Sequence, residues 1–357
     1  MKLSPAEIAA ALGAEVLAEG APEPPRRAVI DSKQAGPGDL FFGLRGEKVD
    51  GGQFASGAIE SGAWGVVART RVRRTFVPDS EQKVRRTWVF AVEDPLAAMH
   101  SLARTWRRAL GARVVGVTGS VGKTSVKDIA RALLPGRVHA NPQNFNTEIG
   151  LPLTILEAPD DTEVLVLEMA MRGKGQIAEL AAIAEPEVAV ITNVGPVHVE
   201  LLGSVEAIAA AKAEILDDLP ATGTVVAPVE AGPLEPHLER APRLLRFGPG
   251  GDVEASEVQV ADGVTEALVT TPLGAERFHF PFTEAHNLTN ALAAIAAGVA
   301  LGADLAAMAD RAASIGFSRF RGERLELPGG IVLVNDCYNA NPVSMRAALD
   351  HLAALEA

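Results

Sequence analysis

The sequence predicts a multidomain α/β protein: a small N-terminal α/β region, a central parallel sheet with a phosphate-binding loop, and a short third region. Three observations carry this. The chain has 357 residues, more than one hydrophobic core usually sustains, about 250–300. Between residues 113 and 219, apolar strands alternate with helices, the signature of a parallel sheet covered on both faces. Within that stretch VVGVTGSVGKTS (114–125) reads as a strand running through a Gly-rich turn into a helix.

Composition narrows the class. At 48% hydrophobic and 22% charged residues the chain is neither disordered nor a collagen or coiled-coil rod. Asp plus Glu total 45 against 33 Lys plus Arg, a net charge of −12, which makes it a poor general nucleic-acid binder. The single cysteine, Cys337, excludes an internal disulfide and a Cys-based zinc site. A reducing, cytoplasmic compartment is the expectation. Glu7 and Glu15 interrupt any signal-peptide core in MKLSPAEIAAALG, which reads instead as a helix capped by Ser4, with Pro5 at N1, Glu7 at N3 and Gly13 as its stop. The longest uncharged stretch, Asn287–Ala303, is mostly Ala and Gly and too weakly apolar to span a bilayer.

Along the chain, residues 1–92 carry strands at Arg27–Ile30, Leu40–Leu44, Gly65–Ala68 and Trp88–Val92, separated by Gly-rich turns. Arg69–Arg86 reads as an exposed Arg-rich loop. Residues 93–322 repeat strand, loop and helix. The strand Arg113–Val117 precedes the helix Lys123–Leu134, Val164–Leu167 precedes Gln176–Ala184, and Val188–Thr192 precedes Val205–Leu219. The Pro- and Gly-rich segment Pro228–Gly251 is expected to interrupt the pattern. Glu266–Thr270 and Arg277–Phe280 suggest an antiparallel annex, and the helix Leu288–Leu301 closes the region. Residues 323–357 hold one strand, Ile331–Val334, and one helix, Ser344–Leu355. Such a piece cannot bury a core alone, so it either docks on the central region or begins a longer domain.

The Gly-rich turn is a variant P-loop. Strict Walker spacing places Gly where Val117 stands, with Gly116 and Gly119 on either side. Gly119, Ser120, Val121 and Gly122 leave backbone N–H groups free to meet phosphate oxygens at the positive end of a helix that starts with Lys123, Thr124 and Ser125. Lys123 can reach the outer phosphates, and Thr124 can place a hydroxyl on Mg²⁺. Glu168 and His198 follow two later strands, at the carboxyl edge where open α/β sheets bind ligands. Taken singly, each has a plainer reading: a Glu after a strand is often a helix cap, and a lone His is usually a surface or satisfied core residue. Lys212, in the apolar AIAAAKAEIL, reads first as a lysine that snorkels to water. HNLTNA (286–291) and NDCYNANP (335–342) read as polar helix starts, with Asp336 at a strand end able to accept from ribose hydroxyls.

Taken together and in order, VTGSVGKTS, NFNTEIGLPLTIL, VLVLEMAMRGKGQI, ITNVGPVHVELLGS, AAAKAEIL, HNLTNALAAIA and DCYNANPVSM closely resemble the Mur ligases of peptidoglycan synthesis. NFNTEIG with DCYNANPVSM resembles the branch that adds D-alanyl-D-alanine to UDP-N-acetylmuramoyl-tripeptide. The resemblance implies a UDP-sugar-binding region over 1–92, an ATP-binding region over 93–322, and the beginning of a Rossmann-like region over 323–357. It implies an ATP-dependent amide ligase that works through an acyl phosphate, as a cytoplasmic monomer with no membrane or nucleic-acid partner. It places Ser32, Lys33, Asn144 and Thr147 on the UDP-muramoyl substrate, and Asn287, Asn290 and Asp336 on the adenosine. Glu168, His198 and a CO₂-carbamylated Lys212 become ligands of two Mg²⁺ ions, beside Thr124. Departures are TVVAPVEAGP, where relatives carry an Asn-Ala-Asp stretch, and FRGERLEL, where Pro-Gly-Arg is usual. Either Arg321 or Arg324 can take that arginine's place, and spacing to the next strand favours Arg324. Competing readings are the preceding ligase that adds the third amino acid, a folylpolyglutamate-type ligase, a P-loop kinase, and a non-catalytic ATP- and UDP-sugar-binding remnant.

Overall fold

The structure, a computed structural model, describes residues 1–69, 86–142, 144–197 and 199–354. The chain forms two compact units, one of Met1–Ala112 with Glu148–Thr162 and the other of Arg113–Thr147 with Glu163–Ala357.

The first unit is built on β1 (Glu15–Ala18), β2 (Arg27–Val29), β3 (Asp39–Phe42), β4 (Gly65–Arg69) and β5 (Trp88–Val92), in the order β1-β5-β4-β3-β2. Only the β1–β5 pair is antiparallel. The helix Pro5–Leu12 has the expected cap: the Ser4 hydroxyl accepts from the Glu7 N–H at 3.3 Å, the Glu7 carboxylate accepts from the Ser4 N–H at 2.8 Å, and Gly13 closes it at φ 61°. The helix Pro95–Leu110, to which the sequence reading assigned no element, belongs to this unit although it follows residue 92. Its signals are nonetheless local: Asp94 accepts from the Leu96 N–H at 2.9 Å, and Gly111 ends it in the left-handed region. Residues 70–85 of the Arg-rich loop lie outside the described residues.

The second unit holds six parallel strands in the order β11-β10-β9-β6-β8-β7. These are β6 (Arg113–Thr118), β7 (Val138–Ala140), β8 (Val164–Glu168), β9 (Val188–Ile191), β10 (Thr224–Pro228) and β11 (Leu244–Phe247). The segment Pro228–Gly251 therefore does not interrupt the sheet; it returns through short helical turns to add β11 at the edge. LLRF is too short and too mixed to announce a strand, and its pairing with β10 decides it. The helix Lys123–Leu133 packs Val126, Ile129, Ala130 and Leu133 into one core with β6, β8 and β9. The helix Ala285–Ala300 joins that core through Ala291, Leu292, Ala294 and Ile295, its small residues allowing close approach. At Gly298 even a methyl group would lie 2.4 Å from the Met308 sulfur.

The expected annex is a three-stranded antiparallel sheet of β12 (Glu254–Ala261), β13 (Val264–Thr271) and β14 (Gly274–Phe280). The third region is a hairpin rather than a single strand. β15 (Glu323–Leu327) pairs with β16 (Ile331–Asn335) across Gly329 and Gly330, both at positive φ. The helix Pro342–Ala354 follows, where Asn341 Oδ1 accepts from the Val343 and Ser344 N–H groups at 3.0 and 2.9 Å. Among the described residues no helix is long and apolar enough to cross a membrane.

Candidate active site

The carboxyl edge of the parallel sheet gathers most of the expected residues of the second unit. β6 ends at Thr118, whose hydroxyl donates to the Met169 carbonyl at 3.1 Å. The chain then turns through Gly119 at φ 152° and Gly122 at φ 83°. A Cβ on Gly119 would stand 1.9 Å from Thr192 Oγ1, and one on Gly122 2.5 Å from Asn290 Oδ1. Both glycines lie at positive φ, a conformation that other residues rarely adopt, and a Cβ at either would press on a neighbouring side chain.

The loop following β9 clamps the turn from the other side. Asn193 accepts from the Val121 N–H at 3.0 Å and donates back to the Val121 carbonyl at 3.1 Å. The Ser120 hydroxyl donates to the Gly195 carbonyl at 3.1 Å and accepts from its N–H at 2.9 Å. Such clamping fixes the shape of the loop, so phosphate binding costs little reorganisation.

Lys123 opens the helix, and its ammonium donates to the Gly119 and Ser120 carbonyls at 2.9 and 3.4 Å. Burial lowers its pKa, the Glu168 carboxylate counters that shift, and the Arg321 guanidinium adds to it. Thr124 donates its hydroxyl to Glu168 Oε2 at 2.8 Å, and Asn146 donates to Glu168 Oε1 at 2.8 Å. The Glu168 backbone is pinned by Asn141, which accepts from its N–H and donates to its carbonyl, both at 2.9 Å. Glu168 is thus no helix cap; it is a buried carboxylate facing the P-loop.

Arg321 Nη2 donates to Thr124 Oγ1 at 3.3 Å, and its guanidinium lies 4.3 Å over the Tyr338 ring. Its Nε is buried with no hydrogen-bond partner, leaving an unspent donor beside the loop. Arg324, which spacing favoured, stands exposed on β15 opposite Val334. Registry along a short linker could not choose between these arginines; a turn at Phe320, held at φ 65°, swings Arg321 inward.

Asn287 is buried at the start of its helix and donates to Glu284 at 3.3 Å; Asn290 donates to Asn287 at 3.3 Å and abuts Gly122. Asp336 lies near enough to the same helix start to act on His286, whose pKa burial lowers while Glu284 and Asp336 oppose the shift. Lys212 is buried, not snorkelling: burial, reinforced by the charge of Lys123, pushes its pKa well below the ordinary lysine value. Asn144 and Thr147 are exposed on the loop that delivers Asn146 to Glu168. Ser125 follows in the first helical turn, half-buried. His198 lies outside the described residues. Ser32 and Lys33 belong to the first unit, in a turn where Asp31 accepts from the Lys33 N–H at 3.0 Å. Behind that turn, the buried Asp39 accepts from Arg27 at 3.0 and 3.2 Å and from the Gly36 N–H at 3.0 Å.

Asn141, Asn146 and Asn193 are the functional-site residues that sequence reasoning missed. Each lies in or beside a quoted motif, but asparagine in a polar loop reads as turn chemistry until its partner is known.

Residues 117–298 match the Mur ligase middle domain, and residues 28–107 match the catalytic domain of the Mur ligase family. The chain is 38% identical over 332 residues to the UDP-N-acetylmuramoyl-tripeptide–D-alanyl-D-alanine ligase of Bacillus subtilis, covering 91% of this chain and 70% of that protein. The chain belongs to the Mur ligase family. The Escherichia coli ligase of the same name is 32% identical, over 90% of this Mur ligase and 71% of its relative. Among solved structures, the MurF ligase of Thermotoga maritima in complex with ADP matches with a TM-score of 0.80 and 32% identity, over 93% of this chain and 75% of that one. MurF from Acinetobacter baumannii matches with a TM-score of 0.88 and 26% identity, over all of this chain and 77% of that one. The expected Mur ligase architecture stands, and this Mur ligase is an ATP-using, amide-forming enzyme by membership.

Proposed function

We propose that this enzyme joins D-alanyl-D-alanine to UDP-N-acetylmuramoyl-tripeptide at the expense of ATP, as a monomer in the cytoplasm. The observation that carries the reading is the likeness to ligases of that name across nine-tenths of the chain. The preceding ligase, the folate-type ligase, the kinase and the remnant have no comparable support.

In this reading the loop Gly119–Ser125 cradles the phosphates of ATP through the N–H groups at its helix start, Gly122–Ser125, while Asn193 holds those of Ser120 and Val121; Lys123 and Arg321 offset charge on the transferred group. Asn287, Asn290 and Asp336 hold the adenosine. A substrate carboxylate oxygen bonds to the γ-phosphorus as the bond to ADP breaks. The free amine of the dipeptide then attacks the acyl-phosphate carbonyl, inorganic phosphate leaves, and the amine gives up a proton. Ser32, Lys33, Asn144 and Thr147 bind the UDP-muramoyl substrate, so that most of the barrier is met by positioning. Regions 1–92, 93–322 and 323–357 serve the UDP-sugar, the ATP and the incoming amine respectively.

The donor set fits Mg²⁺: a buried carboxylate and a hydroxyl 2.8 Å apart beside a phosphate loop are hard oxygen ligands of the kind this ion takes together with substrate phosphates. Thr124 and Glu168 would hold one ion, and His198 and a carbamylated Lys212 would complete the pair of sites. Bound there, Mg²⁺ supplies positive charge to the phosphate oxygens. Lys212 is suited to carbamylation because a depressed pKa raises the fraction of neutral amine, the form that adds CO₂. Labelling with ¹³C-bicarbonate is expected to give a carbamate carbonyl resonance in the wild type and none in Lys212→Met; equal signals would remove Lys212 from the metal site.

The deciding experiment is Mg²⁺-dependent phosphate release with ATP and each substrate alone, then with UDP-tripeptide and D-alanyl-D-alanine together. Release is expected only in the complete mixture, with the pentapeptide seen by mass. ADP formed without an amine, with the phosphate kept on a stable acceptor, would point to a kinase, and release with a single amino acid in place of the dipeptide to the preceding ligase.

A further inference from the structure

One turn below Thr124, on the same face of the helix Lys123–Leu133, sit Lys127 and Asp128, at i+3 and i+4. Their side chains are 2% and 5% exposed, and Lys127 Nζ lies 3.2 Å from Asp128 Oδ1. Burying two charges costs more than the pair alone returns unless further hydrogen bonds are satisfied. Here they are satisfied by two outgoing arms. Lys127 Nζ donates to the Asn141 carbonyl at 2.9 Å. Asn141 in turn grips the Glu168 backbone on both sides and donates to the Phe145 carbonyl at 2.9 Å, one residue before Asn146. Asp128 Oδ2 accepts from the Ser318 N–H at 2.8 Å. Three residues on, Arg321 meets Thr124.

The arms therefore end on the two partners of the Thr124 hydroxyl, Glu168 and Arg321. Between Ser318 and Arg321 stands Phe320, in the left-handed region that non-glycine residues rarely occupy. Such a conformation persists only where its surroundings over-determine it. The Asp128 bond holds one side of it, and the Tyr338 N–H, donating to the Phe320 carbonyl at 3.3 Å, holds the other.

We propose that the buried Lys127–Asp128 pair is a positioning device for phosphoryl transfer, setting Glu168 and Arg321 against Thr124 from beneath the P-loop. The inference rests on the reading of this site as the ligase's ATP centre. Neither residue touches substrate.

The test is the double variant Lys127→Met/Asp128→Leu, which removes both arms and strands neither charge; replacing a buried ion pair by apolar residues is often neutral for folding. Its kcat is expected to fall by about 10–100-fold, the usual cost of losing an outer support, with the thermal midpoint retained. ADP affinity by calorimetry is expected to be unchanged in EDTA and to lose most of the enhancement that magnesium gives the wild type. The pair Lys127→Gln/Asp128→Asn, closer in shape, serves if the first does not fold. It keeps the acceptor for Ser318, shortens the arm to Asn141, and is expected to lose an intermediate share of both readouts.

A folded variant of either kind with wild-type kcat and full magnesium enhancement overturns the proposal. So does a lowered midpoint with the magnesium effect intact, which would mark the pair as structural only. Absence of turnover in the wild type would fell the ligase reading instead, and calorimetry would still decide the role of the pair.

Discussion

Replacing Lys123 with methionine is expected to reduce phosphate release in the complete substrate mixture by about a thousandfold or more, the scale at which a cation facing a transferring phosphoryl group acts. Lys123 lies at the mouth of the loop, tied to the Gly119 and Ser120 carbonyls on a turn whose glycines lie at positive φ. Burial lowers its pKa, so the protonated form depends on the Glu168 carboxylate and gains further when phosphate arrives. Methionine keeps most of the apolar body of the side chain and removes the ammonium with its charge and its two hydrogen bonds. The thermal midpoint should therefore hold, since the two carbonyls it leaves can turn to water at the loop. Arginine should not restore the rate, because its planar fork cannot enter a loop shaped around a point charge. Single-turnover phosphate release with ATP saturating is the measurement; a variant within tenfold of wild type would deny Lys123 its part in the transfer.

Glu168→Gln is expected to have the second largest effect, a loss of about a hundredfold in kcat with a raised magnesium requirement. Wild-type Glu168 accepts from Thr124 on one oxygen and from Asn146 on the other. An amide offers only one acceptor, so its NH₂ must face either the Thr124 hydroxyl or the Asn146 amide. A hydrogen bond to a charged group is worth about 1.5–3 kcal/mol, and its loss would free the loop that carries Asn144 and Thr147. Asn146→Ala should reproduce part of the defect, and the two together should cost less than the sum, since both break one contact. Initial rates over a magnesium titration decide it; an unchanged half-saturation would leave Glu168 as loop support without a metal role.

The parallel-sheet core was legible because its cause is local. Strands such as VLVLE and AVIT are continuous apolar runs, and the glycines of GSVGK fall where a turn must approach other backbone. The caps of the first helix were equally plain, since Ser4, Glu7 and Gly13 act on groups within a few residues. β11 and β12 were not legible: LLRF and EASEVQVA are short or polar, and only pairing partners make them strands.

The site divides along the same line. Lys123, Thr124 and Glu168 could be named from chain order, because a P-loop and a strand's carboxyl end carry their geometry with them. Asn141 and Asn146 became visible only when the chain folded back on Glu168 from more than twenty residues away. Arg321, not Arg324, meets Thr124 because a turn at Phe320 aims it there, which spacing along a linker does not encode. Lys127 and Asp128 carry no signal in chain order; only tertiary packing buries them as a pair. Order along the chain thus determined the architecture, the family and the loop that meets phosphate. Hydrogen bonds between residues far apart in sequence decided which side chains surround that loop, because a polar group's role depends on the partner that burial brings to it.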